Sequence, residues 1–425
     1  MNFCAKNPPH RQAEERCTSF KTSHLRHLLV AISFIVFTFC GKAQADNKIV
    51  IGTVDSIQSK ILNEKRKLWV YVPPNDGTSE KFEKQRYPVV YLTDGDYHFL
   101  TVVSIIQQLH PSWGDPICPN MIVVGILNTD RTRDMTPTHA VYVPEDSTSG
   151  GGENYISFIE KELIPYIDSK YPTEPYKMLI GHSMGGLAVM QTFVHHTNLF
   201  KSYVCVDPSF WWDNHAIIKE SQTIFQHKKF QGTSLFLAFS SVFNIEMDVD
   251  ELSKDTLNSD YLLNLSILKL RDSLESYKNN GLNFQRKYYK DNWHNTVSLM
   301  AEYDALRFIF KDYFFRLPDN DTTDAAIGII DKYKQHYAKY GMKPPATIIN
   351  DAGYSALWSK KYKTAEALFN YNLDRYPGSY KVYVAKGDYY ADLGDKPNAI
   401  INYKKSLAIE EIADIRKKLE KVQGK

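Results

Sequence analysis

The apolar run Met178-Leu179-Ile180 passes into Gly181-His182-Ser183-Met184-Gly185-Gly186 and then into Leu187-Ala188-Val189-Met190, which continues at helical spacing. A strand, a Gly-x-Ser-x-Gly turn and a helix in that order predict a nucleophile elbow, with the Ser183 hydroxyl lifted clear of a sheet. The glycines follow from the geometry. A serine in a strained turn needs small flanks, which Gly181 and Gly185 supply, and Gly186 lets the new helix sit close to the strand. The backbone N–H of Met184, at the helix start, then points at a developing oxyanion. A plain glycine-rich turn whose serine caps a helix is the competing reading, and the strand before and helix after weigh against it.

At 425 residues the chain has room for one large α/β domain and a smaller one. Its 28 Tyr, 22 Phe and 6 Trp support a sizeable core, and a net charge of +2 without a basic tract argues against a nucleic-acid partner. Residues 1–45 read as an export signal. Lys21 and Arg26 precede an apolar run over 28–40, and Ala43-Gln44-Ala45 supplies a small-x-small cleavage site. That run is too short to cross a bilayer, so no membrane span is expected in the mature chain. A lipid anchor at Cys40 is the lesser alternative, since Phe37-Thr38-Phe39 lacks the small residues such a site uses. Cleavage after Ala45 removes six Lys/Arg and two Asp/Glu and turns +2 into −2. It also leaves only Cys118 and Cys205, too few for a disulfide framework or a cysteine metal site.

Taken in order, residues 48–53 and 67–72 read as strands, with 63–66 as connection. The nearly unbroken apolar run 87–92 reads as a buried central strand, and 121–126, 202–206, 234–239 and 284–289 as further strands. Helical spacing marks 99–110, 153–171, 260–279 and 296–315. Strands alternating with helices predict a doubly wound, mainly parallel α/β-hydrolase-type sheet over 46–316. Residues 317–343 form a linker and a helix. In 344–425, Gly353 and Gly387, Ala365 and Ala399, Phe369 and Tyr403, and Leu373 and Leu407 each lie 34 apart. That period resembles tetratricopeptide repeats. Two units are few for a free array, so they are expected to pack on the domain or helix before them.

A serine nucleophile needs a base, and this fold orders its triad Ser, acid, His. His195 and His196 fall on the helix after the elbow and His336 outside the domain, whereas His294 sits in the loop between the last strand and last helix. His294 is therefore the expected base. The acid is expected in the polar loop 240–255, where Glu246, Asp248, Asp250 and Asp255 compete and Asp248 is preferred. Asp207, one strand earlier, is the outside alternative, and a Ser–His dyad is a third. The second oxyanion donor is expected in Asp94-Gly95-Asp96, from the N–H of Asp96 or Tyr97. Trp211 and Trp212, just past a strand end, are expected to wall the substrate pocket. Such chemistry needs no metal or cofactor.

These residues together resemble the family named "putative esterase", which includes esterase D, enterochelin esterases and feruloyl or acetyl-xylan esterases. The resemblance rests on YPVVYLTDGDYHF (87–99), VGILNTDRTRD (124–134), IEKELIP (159–165), GHSMGG (181–186), DPSFWWD (207–213) and the segment 294–297. It covers about 48–315 and implies an α/β-hydrolase domain acting on a small-molecule carboxylic ester, with Ser183 and His294 as nucleophile and base. The chain departs from the pattern at Ala238–Glu246, where many relatives carry a Gly and a nearby Glu, which leaves the acid open. An acyltransferase with the same triad, or a binding protein whose repeats recruit a protein partner while the hydrolase is vestigial, are the alternatives.

Overall fold

The computed structural model describes residues 49–73, 86–110, 115–241, 270, 272–274, 280–315 and 325–424. Its centre is an eight-stranded sheet of β1 (Thr53–Ser59), β2 (Glu64–Tyr71), β3 (Tyr87–Leu92), β4 (Ile122–Ile126), β5 (Thr173–His182), β6 (Ser202–Val206), β7 (Ser234–Ser240) and β8 (Asn283–Tyr289). The spatial order is β1-β2-β4-β3-β5-β6-β7-β8. β1 and β2 pair antiparallel, β2 pairs antiparallel with β4, and β4 through β8 run parallel. Every residue of β3, β4 and β6 is buried, because helices cover both faces of a parallel sheet and leave neither to water. Edge strands β1 and β8 keep exposed positions.

The side-chain alternation of the strands divides the core in two. Val90, Leu92, Val123, Met178, Ile180, Val204 and Val206 face α1 (Gly95–Leu109) and, later in the chain, α7 (Val297–Ile309). Their neighbours Val89, Tyr91, Leu179, Tyr203 and Cys205 point the other way. That second face packs against α3 (Gly152–Phe158), α4 (Ile164–Lys170), α5 (Met184–His195) and α6 (Trp212–His227). A one-turn helix, α2 (Arg131–Met135), precedes α3, and a π-helical segment, Ile159–Leu163, joins α3 to α4. The doubly wound, mainly parallel sheet is the one expected, with four local differences. The first strand runs over Thr53–Ser59 rather than 48–53, and β2 begins at Glu64, inside the expected connection. The polar sequence of β1, Thr-Val-Asp-Ser-Ile-Gln-Ser, befits a largely exposed edge but hides it from an apolar search. The last helix of the sheet ends at Ile309 rather than 315. Helix α6 had no counterpart in the expected elements, and most of the expected helix 260–279 lies outside the described residues.

Beyond the sheet lie α8 (Ala326–Ala338) and two helical hairpins, α9 (Ala346–Trp358) with α10 (Tyr362–Arg375) and α11 (Tyr380–Asp392) with α12 (Lys396–Ile409). The 34-residue offset is a packing requirement. A Cβ on Gly353 would lie 2.7 Å from Cδ1 of Phe369, and one on Gly387 2.6 Å from Cδ1 of Tyr403. Each hairpin thus sets an aromatic ring directly against a glycine of its first helix. A final helix, α13 (Ala413–Gln423), covers the second hairpin with Ile415 and Leu419. The hairpins are not a separate body. Tyr176 of β5 meets Phe310 at 5.5 Å between centroids, Tyr313 meets Tyr337 at 5.4 Å, and one buried cluster runs from α7 to Phe369 and Tyr389. Cys118 and Cys205 are separate buried thiols. Among the described residues no helix is long and apolar enough to cross a membrane.

Candidate active site

β5 ends at His182 and α5 begins at Met184, so Ser183 alone makes the corner. Its φ of 58° and ψ of −120° lie where an L-residue is strained. The corner is held by hydrogen bonds from Ser183 N to Val206 O (2.9 Å) and from Leu187 N and Ser209 N to Ser183 O (3.0 Å each). A methyl on Gly181 would run into the Gly185 carbonyl and lie 2.5 Å from Thr93 Oγ1. One on Gly185 would strike Thr93 and lie 2.8 Å from Asp94 Oδ2. The elbow therefore closes only with glycine on both sides, and the turn after β3 packs directly on it. Ser183 Oγ lies 3.3 Å from Ser209 Oγ.

Across the strand ends, the loop between β8 and α7 brings His294 back toward the elbow. Its ring centroid is 4.5 Å from that of His182, the residue before Ser183. His294 Nδ1 donates to Asp207 Oδ2 at 2.6 Å. Asp207 follows the last residue of β6, has a φ of 43° and is fully buried. Its two oxygens also accept from Ser240 N (3.0 Å) and Ser240 Oγ (2.6 Å) at the end of β7. A buried carboxyl group held by three donors in this way fixes the imidazole as the Nδ1–H tautomer. That directs the lone pair of Nε2 to the other side of the ring, where it meets no hydrogen-bond donor among the described residues.

The acid expected at Asp248 lies outside the described residues, as do Glu246, Asp250 and Asp255. The acid that meets the imidazole is Asp207, the alternative one strand earlier. Two backbone donors stand at the helix starts beside the elbow. The Met184 N–H heads α5, and the Asp96 N–H sits in the first turn of α1; neither has a backbone acceptor among the described residues, as expected of first-turn donors. The Tyr97 N–H donates to Asp94 O at 2.9 Å and is occupied. Asp94, at φ 53°, is fixed by Arg131, whose Nε and Nη2 reach Oδ1 (2.6 Å) and Oδ2 (3.0 Å), while Nη2 also donates to His182 O at 3.3 Å. One guanidinium thus ties the turn after β3 to the elbow.

The two tryptophans separate. Trp211 is half-buried and meets the exposed ring of Tyr142 edge-on at 5.4 Å. Trp212 is 1% exposed and donates its indole N–H to Thr138 O at 3.1 Å. It is a core residue rather than the expected pocket wall. His195 and His196 pair with Glu220 and Glu153 at the surface.

Sequence reasoning missed a third pair beside the site. His98 of α1 sets Nδ1 2.7 Å from Glu302 Oε1 of α7, with both residues buried. Burial acts to lower the His98 imidazole, but the carboxylate raises it above its usual value. Burial likewise pushes the Glu302 carboxyl above its ordinary range, against the pull of His98. The signal available was only helical spacing, which cannot show which two helices meet.

A family model described as "Putative esterase" matches residues 59–252. The ferri-bacillibactin esterase BesA of Bacillus subtilis is 31% identical over 150 residues, covering 32% of this chain and 52% of BesA. The siderophore enterobactin esterase of Emericella nidulans is 26% identical over 173 residues, 37% of this chain and 55% of that protein. The chain thus spans little more than half the length of these curated relatives. An IroE-like serine hydrolase from Shewanella oneidensis has a similar structure, with a TM-score of 0.62 and 29% identity across 76% of this chain and 99% of that one. Sheet order, elbow and family model agree: residues 59–252 are similar to this esterase family, and the sheet has the doubly wound, mainly parallel order of an α/β-hydrolase fold.

Proposed function

We propose that the chain is a serine carboxylic-ester hydrolase with Ser183 as nucleophile, His294 as general base and Asp207 as the acid that orients it. The observation that carries this reading is the fully buried Asp207 carboxylate 2.6 Å from His294 Nδ1, beside an elbow that presents Ser183. Ser183 Oγ attacks the ester carbonyl carbon as His294 Nε2 takes its proton. The oxyanion accepts from the Met184 and Asp96 N–H groups. The imidazolium then gives that proton to the leaving alkoxide, which departs as an alcohol. Water, deprotonated by the same nitrogen, attacks the acyl-enzyme; the Ser183 Oγ–acyl bond breaks, the imidazolium returns the proton to Ser183 Oγ, and the carboxylic acid leaves. The 3.3 Å Ser183–Ser209 contact is a resting arrangement; in free enzymes the serine–base hydrogen bond often tightens only with substrate.

The names of the relatives favour a siderophore-type ester as substrate, with Trp211 and Tyr142 as the aromatic side of the mouth. The charged segment, apolar run and Ala43-Gln44-Ala45 support export. Hydrolysis of p-nitrophenyl acetate with a burst, lost in Ser183→Ala, is the expected result; unchanged turnover in that variant would overturn the assignment.

A further inference from the structure

His294 is fastened to the nucleophile strand by a bond outside the triad. His182 Nε2 lies 2.8 Å from the backbone carbonyl oxygen of His294. A carbonyl only accepts, so Nε2 of His182 carries the hydrogen. This bond spans 112 positions of sequence and joins the residue before the nucleophile to the residue that bears the base. The flanking elements are already anchored. Glu302 of α7, eight residues after His294, meets His98 of α1, three residues after the Asp94–Gly95 corner. The helix after the base loop and the helix that follows the oxyanion turn are thereby joined in the core, while the loop itself still needs a tie to Ser183.

We propose, on the Ser183–His294 reading, that His182 is a positioning residue whose Nε2–H holds the His294 backbone at the height from which its ring reaches Ser183. It works as a neutral donor. Half-buried between the His294–Asp207 pair on one side and the His98–Glu302 pair on the other, with rings 4.5 and 5.7 Å away, it donates without adding a positive charge beside the imidazolium that His294 becomes. Burial, and after it those two imidazoles, pull its own proton affinity down to about 4.

The test compares His182→Phe, which keeps the ring volume and loses the donor, with His182→Gln, whose amide nitrogen falls near the place of Nε2. Misplacing a base by about an ångström costs on the order of 10²-fold. His182→Phe is expected to lose about that factor in kcat on p-nitrophenyl acetate with KM within about twofold. His182→Gln is expected to recover to within about fivefold of wild type. A His182→Phe kcat within about twofold of wild type, or a Gln variant as slow as the Phe variant, overturns the proposal. Histidine ¹⁵N shifts in the wild-type protein give a readout independent of turnover and of variant folding. A neutral Nε2–H tautomer for His182 from about pH 5 to 8 is expected; a cation or an Nδ1–H tautomer at about pH 7 overturns it. An inactive wild type with that tautomer would refute the esterase reading and leave the clamp standing.

Discussion

Replacing Asp207 with Asn removes the charge that supports the imidazolium while keeping the side chain's size. The carboxylate oxygen is 2.6 Å from Nδ1, which puts the two charge centres about 4 Å apart. At an effective dielectric of about 20 their attraction is about 4 kcal/mol, equivalent to roughly 10³ in rate. An amide can also donate to Nδ1 and trap the wrong tautomer, which pushes the loss toward about 10⁴. Asp207→Asn is therefore expected to lower kcat by about 10³–10⁴ with KM changed little, measured with p-nitrophenyl acetate at pH 8 beside circular dichroism to confirm folding. Asp248→Asn serves as the matched control and is expected to stay within about threefold of wild type. Near-normal turnover in Asp207→Asn together with a collapse in Asp248→Asn would refute the reasoning and return the acid to the loop after β7.

The hairpins should report on stability alone. Gly353→Val drives a branched side chain into the Phe369 ring and is expected to cost about 1–3 kcal/mol, a Tm lowered by a few degrees, with kcat/KM unchanged. Acid should weaken the fold partly through His182. Its ordinary value of 6.5 is depressed to about 4 in the folded chain, so between these values the unfolded chain binds a proton that the native chain refuses. Stability is complete above the unfolded value and is lost as the pH falls through this window. The urea midpoint should drop from pH 7.5 to pH 5 by more in wild type than in His182→Gln; equal drops would contradict the assignment.

The elbow, the central strands and the place of His294 were legible because each leaves a local mark. Gly181, Ser183 and Gly185 stand at fixed spacing, β3 and β4 are unbroken apolar runs, and His294 lies in the loop that the Ser–acid–His order requires. The carboxyl group that meets the His294 ring was not, because that depends on which strand ends converge. Asp207 is a lone acid before Pro208, whereas residues 240–255 offer five, and only the parallel pairing of β6 with β7 shows Asp207 held by Ser240. The same limit hid the His98–Glu302 pair, whose members sit 204 positions apart on two helices. Trp212 was misassigned for a related reason. Nearness to a strand end does not say whether an indole turns toward the mouth or, as here, into the core.

The most direct measurement is covalent labelling with a fluorophosphonate followed by peptide mass spectrometry. If Ser183 is the nucleophile activated by His294, one label per chain appears on the peptide containing Ser183, and labelling slows by at least about 10²-fold in His294→Ala. A label on another residue, or one that forms on Ser183 at the same rate without the imidazole, would contradict the account.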